Sequence, residues 1–257
     1  MLDQITPLLI TYNEACNIAR TLGQLEWARR IVVIDSGSTD GTLDILAGCA
    51  RAEVVYRPFS DFASQCNFGL TLVTTPWVLS LDADYRLCDD LIGELAALQP
   101  GPNTIGYRAS FIYCIHGRAL RGSLYPPRVV LYRTGTARYA QTGHGHRLEI
   151  SGPVRELRGR IYHDDRKPLS RWVASQHVYA AAEADFLLSG TTVSRVDRLR
   201  RMAWPAPFAV LLYVLFVKGC LLDGWRGWHY ALQRLIAEAL LALEIIDRRL
   251  RGGGGKS

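Results

Sequence analysis

The run Ile31-Val32-Val33-Ile34 leaves this chain little choice of architecture. Four β-branched residues in succession offer no polar face, so the strand they form is covered on both sides, as in a parallel sheet. Apolar runs at 7–12, 54–56 and 77–81 read as further strands. Between them lie segments of helical period. Ile18, Leu22 and Leu25 share one helical face, with Asn13 placed as the N-cap; residues 42–50 and 60–73 also read as helices. Strands spaced by helices predict an α/β fold, a mostly parallel, right-handed sheet with flanking helices.

The loops at the carboxyl ends of these strands carry the chemistry. Asp82-Ala83-Asp84 closes the fourth strand. Carboxylates two residues apart on an extended segment point to one face. Two hard oxygen donors at that edge suit Mg²⁺ or Mn²⁺ carrying a phosphate group, and ligands of open α/β sheets bind there. Thr11-Tyr12-Asn13-Glu14 ends the first strand and Asp35 the second. Asp61 and Gln65-Cys66-Asn67 follow the third. Each cluster alone reads equally well as turn and cap residues. Four of them on one edge predict a binding site.

I-T-Y-N-E, then V-V-I-D-S-G-S-T-D-G-T, then L-S-L-D-A-D, in that order, resemble the nucleotide-binding half of inverting family 2 glycosyltransferases of the GT-A fold. The resemblance spans roughly residues 5–90 and implies a nucleoside-diphosphate-sugar donor, with a UDP-sugar expected. It implies that Thr11, Tyr12, Asn13 and Glu14 line the nucleotide pocket and that Asp35 contacts base or ribose. Asp82, with Ala83 beside it, would lie near the ribose, and Asp84 would ligate the metal. Gln65 and Asn67 would close over the nucleotide.

Residues 101–165 read as the acceptor half. Strands are expected at 107–113 and 129–132, and a hairpin around Ser151-Gly152-Pro153. R-x-S-F-I-Y, P-P-R-x-x-L-Y-R and H-D-D-R-K-P-L-S-R-W resemble a narrower branch, which includes enzymes that add glucose to heptose in the lipopolysaccharide inner core. Inverting transfer needs a base for the acceptor hydroxyl. Relatives place a carboxylate where this chain has Gly145, so His144, Glu149, Asp164 and Asp165 are the candidates, with His144, Asp164 and Asp165 assigned to catalysis. His144 and His146 could also complete a metal shell with Asp84. Arg166 and Lys167 are expected to balance phosphate charge.

The chain is expected to divide into a catalytic domain (1–168, its halves meeting near residue 100), a helical extension (169–251) and a flexible tail (252–257). Arg195, Arg198, Arg200 and Arg201 precede Pro205 and Pro207, then ten apolar residues from Phe208 to Val217. Ten is short of the roughly 20 that span a bilayer, so this part reads as a monotopic membrane anchor. A net charge of +6 agrees with an anionic partner. No nucleic-acid motif is present. The six cysteines form no C-x-x-C pair, which argues against a zinc site or a disulfide framework. The opening Met1–Gln4 lacks a basic region and an apolar core, so a cytoplasmic location, peripheral on the inner membrane face, is expected. The leading expectation is a metal-dependent inverting hexosyltransferase acting on a lipid-linked or lipopolysaccharide-core saccharide. A haloacid-dehalogenase-like phosphatase with Asp82 as nucleophile, and a non-catalytic membrane-surface scaffold, are the alternatives.

Overall fold

The computed structural model describes residues 1–142, 145–189 and 194–253. They form two compact units. The first comprises Met1–Ala119, Tyr125–Gln141 and His146–Lys167; the second comprises Leu120–Leu124, Thr142–Gly145 and Pro168–Ser257.

The first unit opens with alternating strands and helices: β1 (Ile5–Thr11), α1 (Ile18–Gly23), β2 (Ile31–Asp35), α2 (Thr42–Ala47), β3 (Ala52–Tyr56), α3 (Phe62–Thr71), β4 (Trp77–Asp82), β5 (Tyr85–Leu87) and α4 (Asp89–Ala97). Strands β6 (Gly106–Ile115), β7 (Arg118–Ala119), β8 (Arg128–Arg133), β9 (Ala137–Thr142), β10 (Gly145–Ile150) and β11 (Val154–His163) follow. The main sheet runs β3-β2-β1-β4-β8-β6-β11-β5. β3, β2, β1 and β4 are parallel neighbours. β8 inserts antiparallel between β4 and β6, and β6 and β11 are again parallel. This is the mostly parallel α/β sheet expected from the sequence. Ile31 to Ile34 are fully buried, which is why that run carries no polar residue.

Three local expectations are corrected. Asn13 does not cap α1, which starts at Ile18 behind Asn17. Asn13 instead takes a left-handed conformation (φ 56°), a turn asparagine tolerates, and its side chain accepts from Thr39 N at 2.7 Å. α2 ends at Ala47, before Gly48. The hairpin is not at Ser151-Gly152-Pro153: β10 pairs with β9, while β11 pairs with β6 and β5. A ten-residue strand alternating exposed and buried side chains satisfies its ladder in the main sheet instead.

Helix α4 packs over β11 at Gly159. A Cβ built there lies 2.5 Å from Leu91 Cα and 2.8 Å from Leu91 N, backbone atoms that cannot step aside. Gly159→Ala is therefore expected to cost at least about 1–3 kcal/mol, the usual range for overpacking. Urea unfolding measures it; an unchanged midpoint would contradict this packing.

The second unit holds α5 (Leu169–Leu188), α6 (Arg195–Arg201), α7 (Pro205–Leu212), a π-helical turn (Tyr213–Val217), a 3-10 turn (Cys220–Asp223) and α8 (Trp225–Gly253). Pro205 and Pro207 do not interrupt a helix; they lie in the first turn of α7, where a missing N–H is harmless. Ala180, Ala184 and Leu187 of α5 pack with Leu241, Ala242 and Ile245 of α8. Arg200 turns inward between Glu183 (2.8 Å) and Glu238 (2.9 Å). Among the described residues no helix is long and apolar enough to cross a membrane.

Candidate active site

Parallel register sets the carboxyl ends of β1, β2 and β4 side by side: Thr11 lies against Asp35, and Ile10 against Asp82. Thr11 Oγ1 donates to Asp35 Oδ2 at 2.9 Å. Asp35 is 1 % exposed. Its carboxylate also accepts from Ser38 Oγ (2.6 Å), Ser38 N (2.8 Å) and Gly37 N (2.8 Å). Four internal donors commit Asp35 to holding its own loop in shape. Tyr12, by contrast, is exposed at the strand end.

Beside this edge lies the pair Asp84 and His163. The three-residue strand β5 begins directly after Asp84 and pairs with the end of β11, Tyr85 opposite His163. That register brings His163 Nε2 to 3.1 Å from Asp84 Oδ2. The imidazole is walled by Tyr85, Tyr113 and Tyr125, with ring centroids at 5.4, 4.7 and 4.6 Å, and its Nδ1 is buried without a hydrogen-bond partner. Burial works against the imidazolium, but the Asp84 carboxylate beside it, with Asp82 and Asp165 nearby, raises its pKa above the ordinary histidine value. The anionic surroundings of His163 therefore favour a cation.

The donor set fits a divalent metal. One carboxylate oxygen and one imidazole nitrogen facing each other can share Mg²⁺ or Mn²⁺. Among the described residues no three His, Cys, Asp or Glu side chains form a metal site by themselves. A two-residue site suits a cation whose remaining ligands are phosphate oxygens and water. His144 lies outside the described residues, as does the side chain of His146.

A polar network missed by the sequence reading anchors this edge. Asn17 donates through Nδ2 to Glu14 Oε2 (2.8 Å) and Asp165 Oδ1 (2.9 Å). Its Oδ1 accepts from Arg20 Nη2 (2.7 Å) and Arg166 N (2.9 Å). Arg20 Nη1 meets Asp164 Oδ2 at 2.6 Å. Asp164 is fully buried and accepts as well from Arg166 Nε (2.9 Å), Arg166 Nη2 (3.0 Å) and Gly117 N (3.0 Å). Burial opposes its charge, yet Arg166, Gly117 and Arg20 hold its carboxyl below the usual range. Such a carboxylate is an anchor for the loop, with no lone pair left for an acceptor proton. The Lys167 ammonium contacts Glu14 Oε1. Burial pushes Glu14 up to about 7, with Lys167 opposing and Asp84 reinforcing the shift.

The other expected site residues have internal partners. Arg166 faces Asp164. Gln65 is fully buried and donates from Nε2 to Ser36 Oγ (3.0 Å) and Arg57 O (2.9 Å). Asn67 exchanges two 2.9 Å bonds with the backbone of Tyr139, tying α3 to β9. Ala83 O accepts from Thr21 Oγ1 at 2.6 Å. Asp165 remains partly exposed, and Glu149 is exposed on β10.

A family model described as glycosyl transferase family 2 matches residues 8–149. Among curated proteins, a lipopolysaccharide core biosynthesis glycosyltransferase of Rhizobium meliloti, LpsC, is 26% identical over 259 residues, 95% of this chain and 92% of its own length. An uncharacterized glycosyltransferase of Rickettsia bellii is 26% identical over 217 residues, 78% of this chain and 74% of its own. The crystal structure of S. aureus TarS 1-349 in complex with UDP-GlcNAc aligns over 96% of this chain and 92% of that chain, with a TM-score of 0.52 and 15% identity. At that identity the likeness concerns the fold, which is of the GT-A type.

Proposed function

This chain belongs to glycosyl transferase family 2, and we propose that it is a metal-dependent inverting hexosyltransferase that uses a UDP-sugar and glycosylates a lipid-linked saccharide of the lipopolysaccharide-core kind. The observation that carries the reading is the Asp84–His163 pair at the carboxyl end of β4, 3.1 Å apart. The acceptor class follows the lipopolysaccharide-core role of the Rhizobium meliloti relative, matched over nearly its full length. The donor follows the nucleotide sugar of the TarS complex. Such an acceptor is met at the cytoplasmic face of a membrane. Family membership displaces the phosphatase alternative, and in this reading Asp82 would lie near the ribose.

In this reading Thr11, Tyr12, Asn13 and Glu14 bound the nucleotide, with Asp35 shaping the loop that meets it. Asp84 and His163 would hold the cation, whose charge would offset that of the departing diphosphate. The acceptor oxygen attacks the anomeric carbon as the bond to the diphosphate breaks, and the hydroxyl proton passes to a base. Asp164 is set aside because its oxygens are committed to Arg20, Arg166 and Gly117. Asp165 takes the base role: its carboxylate is oriented by Asn17 and stays partly open to solvent. Lys167, held beside it, balances charge at the site.

The test is transfer from UDP-hexoses to delipidated and intact lipooligosaccharide, with the product anomer read by NMR. Inverted stereochemistry and stoichiometric UDP release are expected. Asp165→Asn should lower kcat by about 10²–10⁴-fold with little change in the donor KM. Retention of configuration would overturn the reading; unimpaired Asp165→Asn would remove Asp165 from it.

A further inference from the structure

We propose that the segment from Trp204 to Trp225 of the second unit is an in-plane docking surface for an anionic phospholipid membrane. This deepens the glycolipid-acceptor reading above and rests on it for why a transferase would sit at a bilayer.

The exposed side chains are of the wrong kind for water. Phe208 is 62 % exposed, Phe216 64 %, Leu222 70 % and Trp225 89 %, with Trp204 and Leu212 also exposed. Phe208 and Leu212 lie four apart on α7 and so share a face. Ala206, Val214, Leu215 and Cys220 from the same segment are buried. The segment therefore has an inward face already filled by small and aliphatic residues, and an outward face of large ones. An exposed apolar surface of this kind marks an interaction site.

Charge says what the partner is. The 25 residues 198–222 contain no aspartate or glutamate, but include Arg198, Arg200, Arg201 and Lys218. Arg200 is consumed by Glu183 and Glu238, whereas Arg198 and, past the segment, Arg226 are exposed. The acid that ends the stretch, Asp223, is paired with Arg121, which approaches at 3.4 Å through Nε while Arg121 N donates at 3.0 Å. Lys218 lies with its ammonium 5.7 Å from the Tyr213 ring centroid. Tryptophans at both ends, aliphatic and phenyl groups between them and cations at the margins match the water–hydrocarbon boundary over an anionic leaflet. Among the described residues no helix is both long and apolar enough to cross a membrane, and the apolar run 208–217 is short of a span, so the segment lies in the interface plane.

The test uses the full chain and phosphatidylcholine vesicles with and without phosphatidylglycerol, read by co-sedimentation and by Trp fluorescence. The parent should bind the anionic vesicles, more weakly at high salt, with a blue shift. Phe208→Ser with Phe216→Ser, and separately Trp225→Ser, should each weaken partitioning by roughly tenfold or more, with melting temperature and UDP binding unchanged. Absence of vesicle binding, equal binding to neutral vesicles, or variants that bind like the parent would overturn the proposal. So would self-association abolished by the same variants without any vesicle binding, since the surface would then serve a second copy. UDP binding, read on the same samples, reports on the transferase site independently.

Discussion

Asp84→Asn is expected to abolish the stabilisation that UDP and Mn²⁺ together confer on the parent chain. The substitution keeps the shape of the side chain and removes its charge. A ligand present at about 100 times its dissociation constant adds roughly 2.7 kcal/mol to the folded state. For a unit of this size that is a rise in melting temperature of roughly 5–10 °C. Without the carboxylate, the cation would lose its hard oxygen donor, and the charge of the UDP diphosphate would lose the partner that offsets it. The comparison is between ligand-induced shifts, because the variant also leaves the His163 imidazole without its partner at 3.1 Å. UDP alone should stabilise the parent much less than UDP with metal. An Asp84→Asn chain that keeps the full metal-dependent shift would place the cation elsewhere.

Asp164→Ala is expected to cost about 3–5 kcal/mol of stability, the range for removing one partner of a buried ion pair. Asp164 is 0 % exposed and receives Arg20 from α1, Arg166 from its own loop and Gly117 N from the turn after β6. Its removal leaves two guanidinium groups and a backbone amide without their shared acceptor. Asp165→Ala serves as the comparison: a side chain that is partly exposed and bound through one oxygen should cost far less. Urea denaturation of both variants decides it. Equal losses would mean that Asp164 is no anchor, and its exclusion from the base role would fall with it.

The parallel strands were legible in Ile31–Ile34 and its companion runs because full burial on both faces admits few side chains. The D-x-D edge was legible only in part: Asp82 ends β4, but Ala83 and Asp84 form a turn before β5, so the strand alternation expected to aim both carboxylates one way does not extend to Asp84. What sequence reasoning missed is long in range. Asn17 meets Asp165 and Arg20 meets Asp164 across more than 140 residues, and nothing in the local pattern around Asn17 or Arg20 marks such partners. His163 stood in the quoted H-D-D-R-K motif, but its role depends on the register between β5 and β11, set by a three-residue strand too short to read. The signal available was the pairing of a D-x-D with a downstream histidine at a strand end. Asn13 was misread for the opposite reason: its type suits both an N-cap and a left-handed turn, and the Ser38–Thr39 loop decided between them. Gln65 and Asn67 are expected at the nucleotide from the resemblance of their segment alone; the bonds they make to the backbone of Arg57 and Tyr139 are tertiary and could not be read from the sequence.

The most direct test of the account is pulsed EPR of Mn²⁺ bound to the full chain with UDP. Nitrogen coupling from one imidazole is expected in the parent, absent in His163→Gln, with phosphorus coupling from the diphosphate in both wherever the metal still binds. Nitrogen coupling that survives His163→Gln, or a Mn²⁺·UDP complex showing none in the parent, would contradict a cation shared between Asp84 and His163.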